Sequence, residues 1–396
     1  MVQIIREGWL LKMERSRPEL CPVIMSEIQY EHIAEYMSQK KTKEGKYFSK
    51  TTYESIRSAF MHLFIMSDMT PPPGLRDKLT TLLKGFKRRI IEERVVAGES
   101  LDEGKDAMSF ECYNLLCKKF FEGDKDEFIF AHTFLLLEWN LMARADNIVN
   151  LNVNDLEWDG DSLVVHMKRS KTDQEGANGK TGFHCYFNSL FPHLNLGLGL
   201  GMYLLSNPGI LGNSTNKLFP AENQYHRYST ILKKVIIDNR EEFEKIGVTP
   251  ENIGSHSARK GAATLAAAGC TISPSMASIC NRAGWKMGGT RDKYIKYESA
   301  GDQFLGRTLC GFSSLTKEFS LSPPFFNVST GQLCGVYETI QKYVPEGMII
   351  DSKMMEVLGF LVASIVYHLG DLEDKLHKSN RFRSNPMMTN QSEVRD

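Results

Sequence analysis

Six residues in this chain have the side-chain types that work on a phosphodiester would need: Arg144, Lys171, His256, Arg259, Trp285 and Tyr294. His256 and Arg259 stand three apart in GSHSARKGAATLAAAGC, and on a helix that spacing turns both toward one anion. Trp285 follows Arg259 by 26 residues in NRAGWKMGGTRDKYIKY, and Tyr294 follows Trp285 by nine. Upstream, Arg144 closes an apolar run in ARADNIVNL, and Lys171 lies in KRSKTDQEG. Two guanidiniums can fork onto the non-bridging oxygens of a phosphate, because they are planar and always charged. An imidazole titrates near neutrality and can carry a proton, an indole offers a single N–H, and an ammonium can protonate a departing oxygen. A phenol has a pKa of about 10, so a tyrosine nucleophile needs such neighbours to attack at neutral pH. Singly, each residue has a plainer reading: a capped helix start, a core tryptophan, a solvated lysine, an arginine on the carbonyl end of a helix. Tyr297, one helical turn beyond Tyr294, is the rival nucleophile.

The elements that must position these residues can be read from hydrophobic spacing. Residues 25–96 read as a helical domain, preceded by an N-terminal extension over 1–24. Its first helical pattern covers 26–38, and its second covers 49–66, with Ser49 as N-cap and Tyr53, Ile56, Phe60 and Phe64 at helical spacing. Pro71-Pro72-Pro73-Gly74 forces a break before a third helix over 75–96. Basic residues gather here: Lys40, Lys41, Lys43, Lys46 and Lys50, then Lys84, Lys87, Arg88 and Arg89. Such charges are commonly solvated faces, but ahead of a catalytic domain they become candidate DNA contacts. Residues 97–106 are polar and contain glycine, as a linker would. Helical patterns follow over 109–121 and 128–142. Then the period shortens, with strand-like runs over 156–158 and 162–167 around Asp159-Gly160-Asp161, a hairpin signal. A polar loop over 168–181 carries Lys171, a third strand is expected over 183–187, and helices return from 195 to 307. Residues 354–369 predict a helix that either pairs protomers or packs on its own domain, and 377–396 are polar enough to predict disorder. The expected fold is mainly α with a small antiparallel β-sheet (α+β). It comprises the helical domain, a catalytic domain over 107–312, and a tail over 313–396 with one helix and a disordered end.

Composition sets bounds. The chain has 396 residues, 42% hydrophobic and 24% charged, enough for two self-sufficient cores. With 48 basic and 48 acidic residues the formal charge is zero, so any affinity for nucleic acid must come from how the charges are distributed. The eight cysteines show no CxxC pairing, which points to reduced thiols instead of a zinc site or a disulfide framework. Arg6, Glu7, Lys12 and Glu14 interrupt the start of the chain, where a signal peptide would be continuously apolar. Glu356 and His368 interrupt the most apolar stretch, so no membrane span is expected. No Walker loop and no acidic metal motif stands out, and no cofactor is expected.

In order, the motifs run Arg, loop Lys, His-x-x-Arg, Trp, Tyr. The sequence resembles the tyrosine recombinase (phage integrase) family, whose catalytic set has this order. RADNIVNLNVNDL is similar to its first-arginine motif, RSKT after a hairpin to its lysine loop, GSHSARKGAAT to its His-x-x-Arg helix, and the nine-residue step from Trp285 to Tyr294 to its final motif. HSARKGAAT, AGW and TRDKYIKYESAGDQFLGR resemble eukaryotic transposon recombinases of the Crypton type most. The resemblance covers residues 25–312, with the helical domain in the place of the family's core-binding domain. It implies an enzyme that cuts and rejoins duplex DNA. Tyr294 would form a 3′-phosphotyrosyl bond, Arg144 and Arg259 would grip the phosphate, and His256 would take the tyrosine proton or bond the phosphorane. Trp285 would donate its indole N–H and close the site, and Lys171 would protonate the 5′ oxygen. The intermediate keeps the energy of the cut bond, so no nucleotide is needed. The resemblance also implies a homo-oligomer (a dimer on each site, a tetramer in synapsis), a mobile-element origin and a nuclear location.

Two departures stand out. The acidic residue often found three after the first arginine is Asn147 here, beside Asp146, and about 100 residues follow Tyr294. Two alternatives share much of this sequence logic. One is a DNA-binding or regulatory relative without strand exchange, against which the retention of all six residues argues. The other is a type IB topoisomerase-like enzyme, which relaxation of a plasmid lacking a target would reveal.

Overall fold

Apolar residues recurring every three to four positions give the first unit three helices: α1 Tyr30–Gln39, α2 Lys50–Met66 and α3 Leu75–Ala97. The computed structural model describes residues 28–98, 104–167, 182–212, 216–288, 298–327, 330–342 and 350–389. The Ser49 hydroxyl caps α2 by accepting from the Thr52 amide at 3.3 Å. Ile33, Met37, Tyr53, Phe60, Phe64, Leu79, Leu83 and Phe86 are buried between the helices, and Tyr53 stacks on Phe86 with ring centres 4.4 Å apart. The chain divides into two compact units, Met1–Gly104 and Lys105–Asp396, and the division falls inside the expected linker.

The second unit is built around one helix. After α4 Phe110–Glu122, capped by Ser109, comes α5 Glu127–Asn140, whose residues from Phe128 onward are all buried. A helix apolar around its whole circumference belongs in the middle of a domain, and α5 is packed by its neighbours on every side. The short α6 Ala145–Val149 leads into three strands, β1 Leu156–Asp159, β2 Ser162–His166 and β3 Gly182–Cys185. They form one antiparallel sheet in the order β1-β2-β3, with Asp159 opposite Ser162 and Leu163 opposite Cys185. The helices α7 Leu196–Ser206, α8 Gln224–Asp238, α9 Arg240–Lys245, α10 Ser257–Ala268, α11 Met276–Ala283 and α12 Ser299–Leu309 follow. Of these, α7, α8 and α10 pack on α5, while α12 packs on β3, α10 and α11. The protein is therefore mainly α with a small antiparallel sheet.

The C-terminal region differs from the tail expected over 313–396. Instead of one helix and a disordered end it holds α13 Thr330–Lys342, α14 Ser352–Tyr367, α15 Leu369–Lys375, a 3₁₀ turn Arg381–Ser384 and α16 Pro386–Thr389. The α14 helix lies in the main core against α7 and β1, with Phe360 stacked on Trp158 at 3.6 Å. Of the two expectations for residues 354–369, packing on its own domain is the one seen. At Gly201 of α7 the approach is close: a Cβ there would lie 3.2 Å from the Leu361 carbonyl oxygen. The end of the chain looked polar because few apolar side chains are scattered through it, yet three of them, Phe382, Met387 and Met388, are buried. Residues 1–24 and 390–396 lie outside the described residues. Among the described residues no single helix is long and apolar enough to cross a membrane. The pair α14 and α15 reaches that hydropathy only together, is bent by 58°, and α14 belongs to the core.

Candidate active site

The site grows from the C-terminal end of α5. Met142 adopts φ 47°, a left-handed conformation rare for a side chain other than glycine. This bends the chain, and the Ala143 amide closes the bend on the Glu138 carbonyl at 3.1 Å. The bend leaves the Met142 carbonyl free to accept from Arg259 Nη1 at 3.0 Å, and it puts Arg144 at the N-cap of α6.

Facing it, α10 begins directly after His256. Gly254 donates to Ser257 Oγ at 3.0 Å, and Ser257 donates its amide back to the Gly254 carbonyl, which fixes the entry to the helix. The first turn of α10 then presents His256 exposed and Arg259 buried. Gly261 lets α10 dock, since a Cβ there would lie 1.8 Å from the Met108 carbonyl oxygen. At the end of α11, Gly284 takes φ 63° and reverses the chain, so that Trp285 folds back with its amide on the Cys280 carbonyl at 2.8 Å.

These elements meet at one cleft of about 580 Å3, lined by Arg144, His256, Arg259 and Trp285 together with Lys260 and Ala263. The guanidinium of Arg259 sits 5.6 Å from the Trp285 ring centre, within cation–π range. It donates to the carbonyls of Met142 and Ala283. Those bonds occupy two of its five donors and leave three for a ligand. Burial, then the nearby charge of Arg144, push the Arg259 pKa down to about 10, while Glu138 acts in the opposite direction. It remains a cation at neutral pH, next to a second one. Two guanidiniums, an imidazole, an ammonium and a 42%-exposed indole thus line one opening, a set of donors whose chemistry suits an oxyanion.

The sequence-derived set thus divides. Arg144, His256, Arg259 and Trp285 come together, while Lys171, Tyr294 and Tyr297 fall outside the described residues. Asp146 is exposed, Asn147 is half-buried, and neither lines the cleft. No protein-family model matches this chain, and no curated protein matches it.

Sequence reading missed the pair that braces the site. Arg282 on α11 and Asp302 on α12 form a fully buried ion pair at 2.6 Å. Arg282 also donates to the carbonyls of Asn140 (3.0 Å) and His184 (2.9 Å), and Asp302 accepts from the His184 amide at 2.8 Å. One ion pair thus ties α5, β3, α11 and α12 together on both sides of the segment that carries Tyr294. A hint lay in the sequence: Arg282 stands three residues before Trp285 in NRAGW, where an arginine on a buried helix needs a counter-charge.

In the first unit the nine basic candidates do not form one face. The Lys40 and Lys41 ammoniums lie over the rings of Tyr36 and Tyr47, and Lys50 pairs with Glu54 at 3.2 Å. Lys43 is exposed, and Lys46 and Arg89 line a cleft in which Arg89 donates to the Tyr47 hydroxyl at 3.0 Å. Helical spacing puts Lys84, Lys87 and Arg88 on one exposed strip of α3 and Arg89 on the opposite flank.

Proposed function

We propose that the protein is a tyrosine recombinase that cuts and rejoins DNA through a covalent 3′-phosphotyrosyl intermediate on Tyr294. The observation carrying this reading is the convergence of Arg144, His256, Arg259 and Trp285, 141 positions apart at the extremes, on one cleft. Chance placement of unrelated surface residues gives no reason for such a meeting, and a phosphate has the charge and shape that two forked guanidiniums fit. Tyr294 is four residues from Glu298, so the chain can carry it at most about 14 Å from the start of α12. That helix is pinned by Asp302 to the helix that ends at the cleft.

In this reading the arginines hold the non-bridging oxygens and stabilise the charge of the phosphorane. His256, exposed at the rim, exchanges a proton with the tyrosine. Trp285 donates its indole N–H and shields Arg259, and Lys171 protonates the 5′ oxygen. The exposed Lys84, Lys87 and Arg88 strip supplies backbone contacts to duplex DNA. Assembly as dimers and a tetramer, a mobile-element origin and a nuclear location belong to the same proposal.

The test is covalent capture. A randomised pool of nicked duplexes, in which the cut fragment diffuses away, should leave the protein attached to DNA. Tyr294→Phe should abolish the adduct and keep DNA binding. An adduct that survives Tyr294→Phe and disappears in Tyr297→Phe moves the nucleophile. No adduct from wild type on any duplex sinks the enzyme reading.

A further inference from the structure

His256 stands at the N-cap of α10 with its side chain exposed, and its imidazole has no hydrogen-bond partner among the described residues. The place of the ring is therefore set by the backbone beneath it. A proton carrier depends on that place, since a misplacement of about 1 Å can cost on the order of 100-fold in rate. Whatever grips residues 252–257 thus bears on the chemistry of the cleft. Two elements do so. The first is the chain at the start of the second unit. Its Asp106 amide donates to the Asn252 carbonyl at 2.8 Å, and its Met108 amide donates to the Ser257 carbonyl at 3.0 Å. These bonds join backbone to backbone, and almost any residue type could make them.

The second element is α8. The Tyr225 hydroxyl and Ser255 Oγ share a hydrogen bond at 2.9 Å. Ser255 is 7% exposed and immediately precedes His256. Among the described residues, this is the one side-chain hydrogen bond that enters residues 252–257 from elsewhere in the chain. The start of α8 is itself firmly held. Asn223, its N-cap, takes φ 58°, and Ala221 takes φ 83°. A left-handed backbone at residues other than glycine is costly and tends to persist where it sets up a site. Here it opens the helix whose second residue reaches Ser255. Further into α8, Tyr228 stacks on Phe134 of α5 with ring centres 4.2 Å apart, and Arg227 lies over the Phe130 ring at 4.2 Å. The Tyr225 ring, by contrast, is 39% exposed, so the core asks little of it.

We propose that Tyr225 is a positioning residue for His256. Through Ser255 it fixes the turn on which the imidazole stands, and it leaves the ring itself open to exchange a proton. This deepens the recombinase reading and rests on it, because proton exchange with the tyrosine nucleophile is the step that the place of the imidazole would govern.

Two measurements on the intact chain keep the two ideas separable. The first needs no activity: amide hydrogen exchange of wild type, Tyr225→Phe and Ser255→Ala, read by mass spectrometry. Losing one hydrogen bond should speed exchange in the fragment spanning 252–258 by roughly 2- to 10-fold, with fragments from α5 unchanged. Unchanged exchange over 252–258 overturns the proposal, and Tyr225→Phe, which keeps the ring, decides alone if the alanine variant does not fold. The second is single-turnover capture on the nicked-duplex pool. Tyr225→Phe should slow capture roughly 10- to 100-fold with DNA affinity unchanged. Added to Ser255→Ala it should slow capture no further, because the two side chains share one bond. An unchanged capture rate, additive slowing in the double variant, or weaker DNA binding (the mark of a hydroxyl that touches DNA itself) also overturns it. If wild type captures no DNA, the recombinase reading fails, and hydrogen exchange alone decides whether Tyr225 holds the turn.

Discussion

Replacing Asp302 by alanine removes the carboxylate that neutralises Arg282, a side chain with 0% exposure. The carboxylate accepts three bonds, from Arg282 Nε at 2.8 Å, from Arg282 Nη2 at 2.6 Å and from the His184 amide at 2.8 Å. The guanidinium keeps its bonds to the Asn140, His184 and Asp302 carbonyls, but these are dipoles and carry no counter-charge. Breaking a buried pair from one side costs about 3–5 kcal/mol, because the remaining charge stays desolvated. At about 2 °C per kcal/mol for a unit this large, the melting temperature should fall by roughly 6–10 °C. The assay is calorimetric melting at pH 7, with Arg282→Met/Asp302→Leu as control. With both charges gone, the double variant should be less destabilised than Asp302→Ala alone. A fall of under about 2 °C in the single variant, or a double variant worse than the single, would refute the claim that this pair braces the helices around the Tyr294 segment.

Gly261→Ala should destabilise by about 1–3 kcal/mol or more, read by urea unfolding. Its Cβ would lie 1.8 Å from a backbone oxygen, and the helix-propensity gain of about 1 kcal/mol cannot compensate. Trp285→Phe should slow covalent capture with no change in melting temperature, since a 42%-exposed ring contributes little to the core but its N–H is lost. Triple replacement of Lys84, Lys87 and Arg88 by alanine should flatten the log–log salt dependence of DNA binding by about 2–3, measured by fluorescence anisotropy. Burial lowers the His132 imidazole from 6.5 to about 4. Its folded-state pKa lies below its unfolded one, so the stability it contributes is complete above pH 6.5 and is lost as pH falls toward 4. That loss amounts to about 2 kcal/mol at pH 5 and should be missing from His132→Asn in paired urea titrations.

Much of the architecture could be read from spacing alone. Ser49 caps the helix it precedes, and the Asp159-Gly160-Asp161 hairpin forms. Arg144, His256, Arg259 and Trp285 were identifiable because local motifs carry them. What escaped depends on contacts between distant positions. Nothing near Asp302 announces that Arg282 will reach it through the core, and nothing near Glu138 indicates that a lone acid in an apolar helix will be fully buried. Met142 in a left-handed bend was also hidden, because methionine gives no turn signal. The ordered C-terminal region was missed because three apolar side chains among polar neighbours suffice to dock it.

The stacking of Phe360 on Trp158 has a consequence for biosynthesis. The two rings are 202 residues apart, so at about 5–20 residues per second β1 leaves the ribosome roughly 10–40 s before the helix that covers it. During that interval the nascent sheet shows bare aromatic surface, the kind of surface that chaperones bind. Closure of the sheet therefore waits for the synthesis of α14, and point changes near Phe360 should lower soluble yield in cells more than they lower the melting temperature of whatever protein is recovered.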